Sequence, residues 1–245
     1  MSVLIKEHER VDDLHRNGYL LIQDPKRFCF GVDAVLLSGF AHVNDGETAV
    51  DLGTGTGVIP ILLEAKTKGK QFYGLEIQEE SVDMARRSVA LNHLEDKIKI
   101  DRGDIKKVEE IYPRSSFDVV TANPPYMNHG GGLHNQFGPK AVARHEILCS
   151  LEDVVKGASK LLRFGGRFYM VHRPSRLIDI VCTLRNYKLE PKRIRFVHPY
   201  ANKEPNLVLI ESVRSGNPML KVMPPLVIYG DDKKYTKEII EIYYH

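Results

Sequence analysis

Asn123-Pro124-Pro125-Tyr126 brings together an amide side chain, two backbone carbonyls that each precede a proline nitrogen lacking hydrogen, and an aromatic ring. Asn123 and the Pro124 carbonyl can each accept a hydrogen bond, and Tyr126 offers a stacking face. Together they suit a planar molecule that bears an amino group. The same four residues also read as a rigid turn, because proline fixes φ and removes a backbone donor, so a strand ending here leaves its sheet as a stiff loop. Deciding between the two requires a reactive partner elsewhere in the chain.

Asp51-Leu52-Gly53-Thr54-Gly55-Thr56-Gly57 is the candidate partner. Thr48–Val50 predicts a strand leading into it and Val58–Leu63 a helix leaving it, with Pro60 tolerated in the first turn. Glycines there let the backbone approach a ligand closely, and the helix start presents free N–H groups. Gln71–Glu76 predicts the next strand and ends in an acid, placed to accept the two hydroxyls of a ribose. Lys97–Ile100 predicts a third strand followed by Asp104, and Phe117–Ala122 a buried fourth that runs into Asn123. Strands alternating with helices imply an open parallel α/β sheet whose ligands sit at the carboxyl ends of the strands. Gly53, Glu76, Asp104 and Asn123 should therefore converge. The plainer reading of Glu76 and Asp104 is a pair of solvated acids.

Around this centre, Gly18–Gln23 predicts a strand, and Asp33 is placed as the N-cap of a short helix that buries Val35, Leu36 and Leu37. A helix over 79–92 turns Val82, Ala85, Val89 and Ala90 inward. His129–Pro139 reads as a loop beside the site, and Arg144-His145-Glu146 leads to a helix over 151–162. A turn at 164–167 opens a strand over 168–171, followed by a helix over 176–185, strands over 192–198 and 206–211, and a last helix over 235–244. No repeat or linker interrupts the chain. One domain over 1–245 is expected, with an extension (1–45) contributing to the site, a core sheet (46–213) and a tail (214–245).

With 245 residues the chain can bury a sizeable core, and its net charge of +3 permits a nucleic-acid partner without requiring one. No apolar run is long enough to span a bilayer, and residues 1–10 lack the apolar segment of a secretion signal. Cys29, Cys149 and Cys182 have no metal-ligand spacing and are expected to be buried thiols in a reducing cytoplasm.

Asp51–Gly57 followed in order by Glu76, Asp104 and Asn123-Pro124-Pro125-Tyr126 resembles the class I S-adenosylmethionine-dependent methyltransferases, in particular those that methylate amino nitrogens. The glycine spacing is not that of the nicotinamide fingerprint. Phe28–Leu37 upstream, Val171-His172-Arg173-Pro174 downstream, and His198-Pro199-Tyr200 through Lys203–Glu211 are similar to the bacterial tRNA1(Val) adenine-37 N6-methyltransferases. The resemblance covers nearly the whole chain.

It implies a Rossmann-like fold with an open, mostly parallel seven-stranded sheet and helices on both faces. It also implies S-adenosylmethionine as cofactor, no metal, a tRNA anticodon loop as partner, and a cytoplasmic, monomeric protein. Asn123, Pro124 and Tyr126 would carry the chemistry. Asp51, Gly53, Thr54, Gly55 and Gly57 would hold the methionine portion of the cofactor, with Asn123 close by. Glu76 and Ile77 would hold the ribose side, and Asp104 the adenine amine. Asp33 would lie beside the methionine end, or serve only as a helix cap. His145 and His172 are taken as structural or RNA-facing. Arg86-Arg87, Lys106-Lys107 and Lys192-Arg193-Arg195 would be solvated faces or, around the crevice mouth with Lys6, Arg10 and Arg144, phosphate contacts. Two rivals share the motifs: a methyltransferase acting on a protein glutamine amide, expected to carry a longer N-terminal domain, and a DNA adenine methyltransferase, expected to add a sizeable target-recognition region. A third, of another class, is a noncatalytic module binding the cofactor or RNA, against which the intact Asn123-Pro124-Pro125-Tyr126 argues.

Overall fold

The computed structural model describes residues 4–27, 29–124 and 149–244. In chain order the elements are β1 (Arg10–Asp13), β2 (Leu20–Gln23), α1 (Val32–Phe40), β3 (Thr48–Leu52), α2 (Val58–Lys66), β4 (Gln71–Glu76), α3 (Glu79–Leu91), β5 (Ile98–Arg102) and α4 (Val108–Ile111). They continue with β6 (Phe117–Ala122), α5 (Leu151–Leu161), β7 (Leu162–His172), α6 (Leu177–Asn186), β8 (Leu189–Tyr200), β9 (Leu207–Arg214), β10 (Lys221–Val222), β11 (Leu226–Tyr229) and α7 (Lys237–Tyr244).

Strands buried on both faces read as unbroken apolar runs, and β6 shows why. Val119 joins a core formed with α1, α2 and α3, while Val120 and Ala122 join a second core formed with α4, α5 and α6. Strand β7 alternates likewise, with Tyr169 and Val171 on the first side and Phe168 and Met170 on the second. The sheet is thus the middle layer of three.

Across the sheet the order is β5-β4-β3-β6-β7-β9-β8, with β10 and β11 both paired to β8. Strands β3 to β7 run parallel, and β9 is antiparallel to both β7 and β8. Strand β8 therefore points the same way as β7. The chain steps from β3 outward through β4 and β5, then returns to the other flank of β3 as β6. That reversal opens a crevice between the carboxyl ends of β3 and β6.

The seven expected strands are all there, and two short ones extend the sheet to nine. Residues 221–222 and 226–229, within the stretch expected as a tail, pair with β8. Strands β1 and β2 form a separate antiparallel hairpin that docks on α3, where the Ile22 amide donates to Ser88 Oγ at 3.0 Å and the Leu20 amide to Asn92 Oδ1 at 2.8 Å.

Three local expectations are corrected. Gly31, with extended backbone, caps α1, and Asp33 falls inside the first turn. There its carboxylate faces the positive helix end and accepts from the Ala34 amide at 3.1 Å. Cys182 is exposed and Cys29 and Cys149 are half-buried. Ala90 is half-buried too, and Met84 fills the inward face of α3 instead. Among the described residues no helix is long and apolar enough to cross a membrane.

Candidate active site

Strand β3 delivers Asp51 to the switch point in register with Thr121 of β6. The Thr121 hydroxyl donates to Asp51 Oδ1 at 2.7 Å, and both residues are buried. Asp51 Oδ2 and the Thr54 hydroxyl are also buried, and neither has a hydrogen-bond partner among the described residues. Burial pushes the Asp51 carboxyl up to about 7. The hydroxyls of Thr121 and Thr54, the latter nearby but outside hydrogen-bond geometry, oppose that shift, and the charge of Glu76 adds to it.

The loop that follows is a series of left-handed turns at Gly53 (φ +74°), Gly55 (φ +57°) and Gly57 (φ +85°), a conformation L side chains rarely adopt. The amides of Gly53 and Thr54 donate to the Leu75 carbonyl at 2.8 and 3.0 Å, which anchors the loop to β4. Glu76 anchors it a second time: Oε2 accepts from the Gly55 amide at 3.0 Å, and Oε1 from the Ile77 and Gln78 amides at 2.9 Å each. Only 6% of Glu76 is exposed, so the solvated-acid reading fails for it. Ile77 beside it is 39% exposed, an apolar surface at the crevice rim.

Gly74, which the motifs did not flag, makes room for this loop. A Cβ there would lie 2.7 Å from Thr54 Cγ2 and 2.8 Å from Ile100 Cδ1. A glycine inside a strand signals such a close approach. Gly74→Val should cost about 1–3 kcal/mol by overpacking, seen as a lower thermal midpoint, and should displace Thr54 enough to weaken cofactor binding by calorimetry. A variant with wild-type melting and binding would show that the loop tolerates the shift.

Asp104 lies just beyond β5, where the neighbouring Gly103 amide donates to the Glu76 carbonyl at 2.9 Å. Its Oδ1 accepts from the Lys106 amide at 2.9 Å and caps a short 3-10 turn. Asn123 leaves the end of β6, half-buried, and its side chain makes no hydrogen bond among the described residues. Pro124 is buried. Pro125, Tyr126, the 129–139 loop, Arg144 and His145 lie outside the described residues. His172 closes β7, beyond the Ala122–Met170 pair, and so sits level with the exit of Asn123 and Pro124. It is buried, its Nδ1 accepts from the Arg173 amide at 2.8 Å, and burial together with the Arg176 charge lowers its pKa to about 4. A buried neutral imidazole fits the structural reading and not an RNA-facing one. Asp33 sits at the start of α1, which packs on β7 and α2.

Gly53, Glu76, Asp104 and Asn123 thus come to one edge of the sheet. Among the described residues no group of three or more His, Cys, Asp or Glu could hold a metal ion. A family model described as "Methyltransferase domain" matches residues 43–236. The chain belongs to this methyltransferase family.

A protein of Porphyromonas gingivalis named tRNA1(Val) (adenine(37)-N6)-methyltransferase is 31% identical over 187 residues, covering 74% of this chain and 72% of its own. A protein of the same name from Histophilus somni is 28% identical over 222 residues, covering 88% and 89%. A crystal structure of a predicted O-methyltransferase from Agrobacterium tumefaciens superposes with a TM-score of 0.71 at 20% identity, covering 86% of this chain and 95% of that one. It shows the shared class I fold. S-adenosylmethionine is the cofactor that the motifs of this methyltransferase imply. The residues present fit it: two buried polar atoms of the cradle have no partner among the described residues, and a Cβ on Gly55 would meet nothing within 4 Å.

Proposed function

We propose that this methyltransferase modifies the exocyclic N6 amine of an unpaired adenine in tRNA, adenine 37 of the tRNA1(Val) anticodon loop. The observation that carries the chemistry is Asn123. It leaves β6 across the switch point from the glycine cradle, and its side chain makes no hydrogen bond among the described residues. The names of the relatives above support the RNA and the position.

S-adenosylmethionine, when bound, supplies a methyl group already activated on a sulfonium, so the protein's task is alignment and charge stabilisation. An adenine amine is a poor nucleophile because its lone pair is shared with the ring. The Asn123 side-chain oxygen and the Pro124 carbonyl would accept its two N–H bonds, favour a tetrahedral nitrogen and stabilise the positive charge as it develops. Proline's fixed φ at 124 would hold these acceptors stiffly. Tyr126 would stack on the base. A loop base is already unpaired, which keeps its extrusion cheap. Neutral His172 is not needed as a base, because the methylated amine sheds its proton readily.

In the cradle, Asp51, Gly53, Thr54, Gly55 and Gly57 would hold the methionine portion, with Asp33 beside it. Glu76 would take the ribose hydroxyls, Ile77 would cover the ring system, and Asp104 would accept from the adenine amine. A cationic ligand beside Asp51 favours the ionised carboxylate. In the free protein that carboxyl takes up a proton as pH falls through about 7. Cofactor affinity should therefore fall below pH 7, by up to about tenfold per unit, and flatten above it. Calorimetry between pH 6 and 8 reads this directly, and Asp51→Asn should abolish the slope. A flat wild-type profile would remove Asp51 from the site.

The proposal is tested by incubating the protein with labelled cofactor and total tRNA from a strain lacking the enzyme, then digesting the RNA. Label in N6-methyladenosine supports it. Label in another nucleoside overturns the base assignment, and label only in a parallel incubation with a release factor in place of tRNA, on a glutamine, would favour the protein-methylating alternative. No label anywhere would favour a binding module.

A further inference from the structure

Strands β8 and β11 are parallel to each other and to the core strands, so Tyr200 and Tyr229 at their ends lie on the same edge as Asn123. From Tyr200 a column of rings continues through Tyr229, Tyr235, Tyr243 and Tyr244, with successive centroids 5.4, 5.3, 5.5 and 6.1 Å apart. His15 of the N-terminal hairpin stands 5.2 Å from Tyr244. The column ends near the start of α1, where Tyr243 lines a shallow cleft with His15, Gly31 and Val32; burial first, and the Asp33 charge among lesser causes, raises the Tyr243 phenol pKa.

Packing on the core accounts for Tyr229 and Tyr243 but not for Tyr235 and Tyr244. Ile239 is fully buried, and Ile242 lies against Gly39, where an added Cβ would come within 2.8 Å of it, so two isoleucines already make that contact. Tyr235 and Tyr244 keep 36% and 45% of their surface exposed. Lys203, Lys233, Lys234 and Lys237 are exposed near these rings and make no salt bridge among the described residues. Of the nearby acids, Glu238 is held by Arg195, and Asp232 accepts from the Lys234 amide. Asp231, Glu204 and Glu241 remain solvent-facing. Tyr200 lies three strand spacings across from β6 and five residues beyond the level of Asn123, roughly 20 Å in all, a span of a few nucleotides along a single strand.

We propose that this tyrosine column, with its lysines, is a stacking surface for the unpaired RNA that flanks the base held at Asn123. The rings already stack on one another, so bases would meet the exposed parts of Tyr235 and Tyr244, and ammonium groups would take the phosphates between them. The proposal rests on the RNA reading above and names where that RNA lies.

The test compares Tyr235→Ala/Tyr244→Ala with Tyr235→Phe/Tyr244→Phe. One measurement is KM for unmodified tRNA at saturating cofactor. The other is binding of a fluorescein-labelled, unstructured RNA 10-mer by anisotropy. The alanine pair should raise both KM and the 10-mer Kd about tenfold or more, with kcat falling far less than KM rises and cofactor affinity unchanged. The phenylalanine pair should behave like the parent, because stacking needs the ring and not the hydroxyl. Should the alanine pair melt early, Tyr244→Ala alone, at the exposed end, gives the same readout. Parent-like RNA binding by the alanine variants overturns the proposal, as does equal loss in the phenylalanine pair. If the parent methylates no RNA, the substrate reading fails by itself, and the 10-mer still decides the surface.

Discussion

Replacing Asn123 by alanine should lower kcat at least a hundredfold while cofactor affinity stays within a factor of two or three. The end of β6 places this amide beside the switch point, and no described neighbour uses it. Its oxygen would act most strongly as the amine acquires charge, and removing a group of that kind costs about 2.7–4 kcal/mol of transition-state stabilisation. Alanine leaves the following prolines to hold the loop, so ground-state binding should survive. Single-turnover methylation and calorimetry separate the two effects. Turnover near the wild-type rate would show that Asn123 only ends a strand, and the adenine proposal would lose its carrying observation.

Glu76→Ala should act on the other side of the crevice, weakening the cofactor by about a hundredfold or more. Three backbone amides now converge on this carboxylate, and hydrogen bonds to a charged acceptor are worth about 1.5–3 kcal/mol each. A carboxylate has about four acceptor positions, so Glu76 can shape the loop and still meet a ribose hydroxyl. Alanine removes both, and the thermal midpoint should fall with the affinity. Glu76→Gln retains one good acceptor oxygen and should lie between the two. Unchanged binding in the alanine variant would reduce Glu76 to a loop brace.

Much of this arrangement was legible in the residues because it rests on local signals. Gly53, Gly55 and Gly57 announce left-handed turns, the prolines at 124 and 125 announce a strand's end, and the alternating elements fix a parallel sheet with its crevice at one edge. What stayed hidden depends on register and three-dimensional neighbours. The Thr121–Asp51 contact exists only because β6 returns beside β3. Two-residue β10 has no periodicity to read, and β1 carries the charged run Arg10-Val11-Asp12-Asp13, which looks like a loop until its partner β2 is known. Asp33 was misplaced because an acid near a helix start suits both the cap and the first turn, and Gly31 took the cap. The tyrosines at 200, 229, 235 and 243 are scattered in sequence and meet through the pairing of β11 with β8, a bridge between Tyr229 and Tyr235, and the return of α7.

The packing of α7 against α1 also sets an order of events during synthesis. The segment bearing Asp33 leaves the ribosome long before the helix that covers Gly39, and at roughly 5–20 residues per second the wait is on the order of tens of seconds. A nascent chain can assemble β3 to β6 and their glycine loop in that time, yet one wall beside the crevice lacks its backing until Ile239 and Ile242 arrive. Chains cut short before residue 237 would expose that unbacked surface to chaperones and proteases.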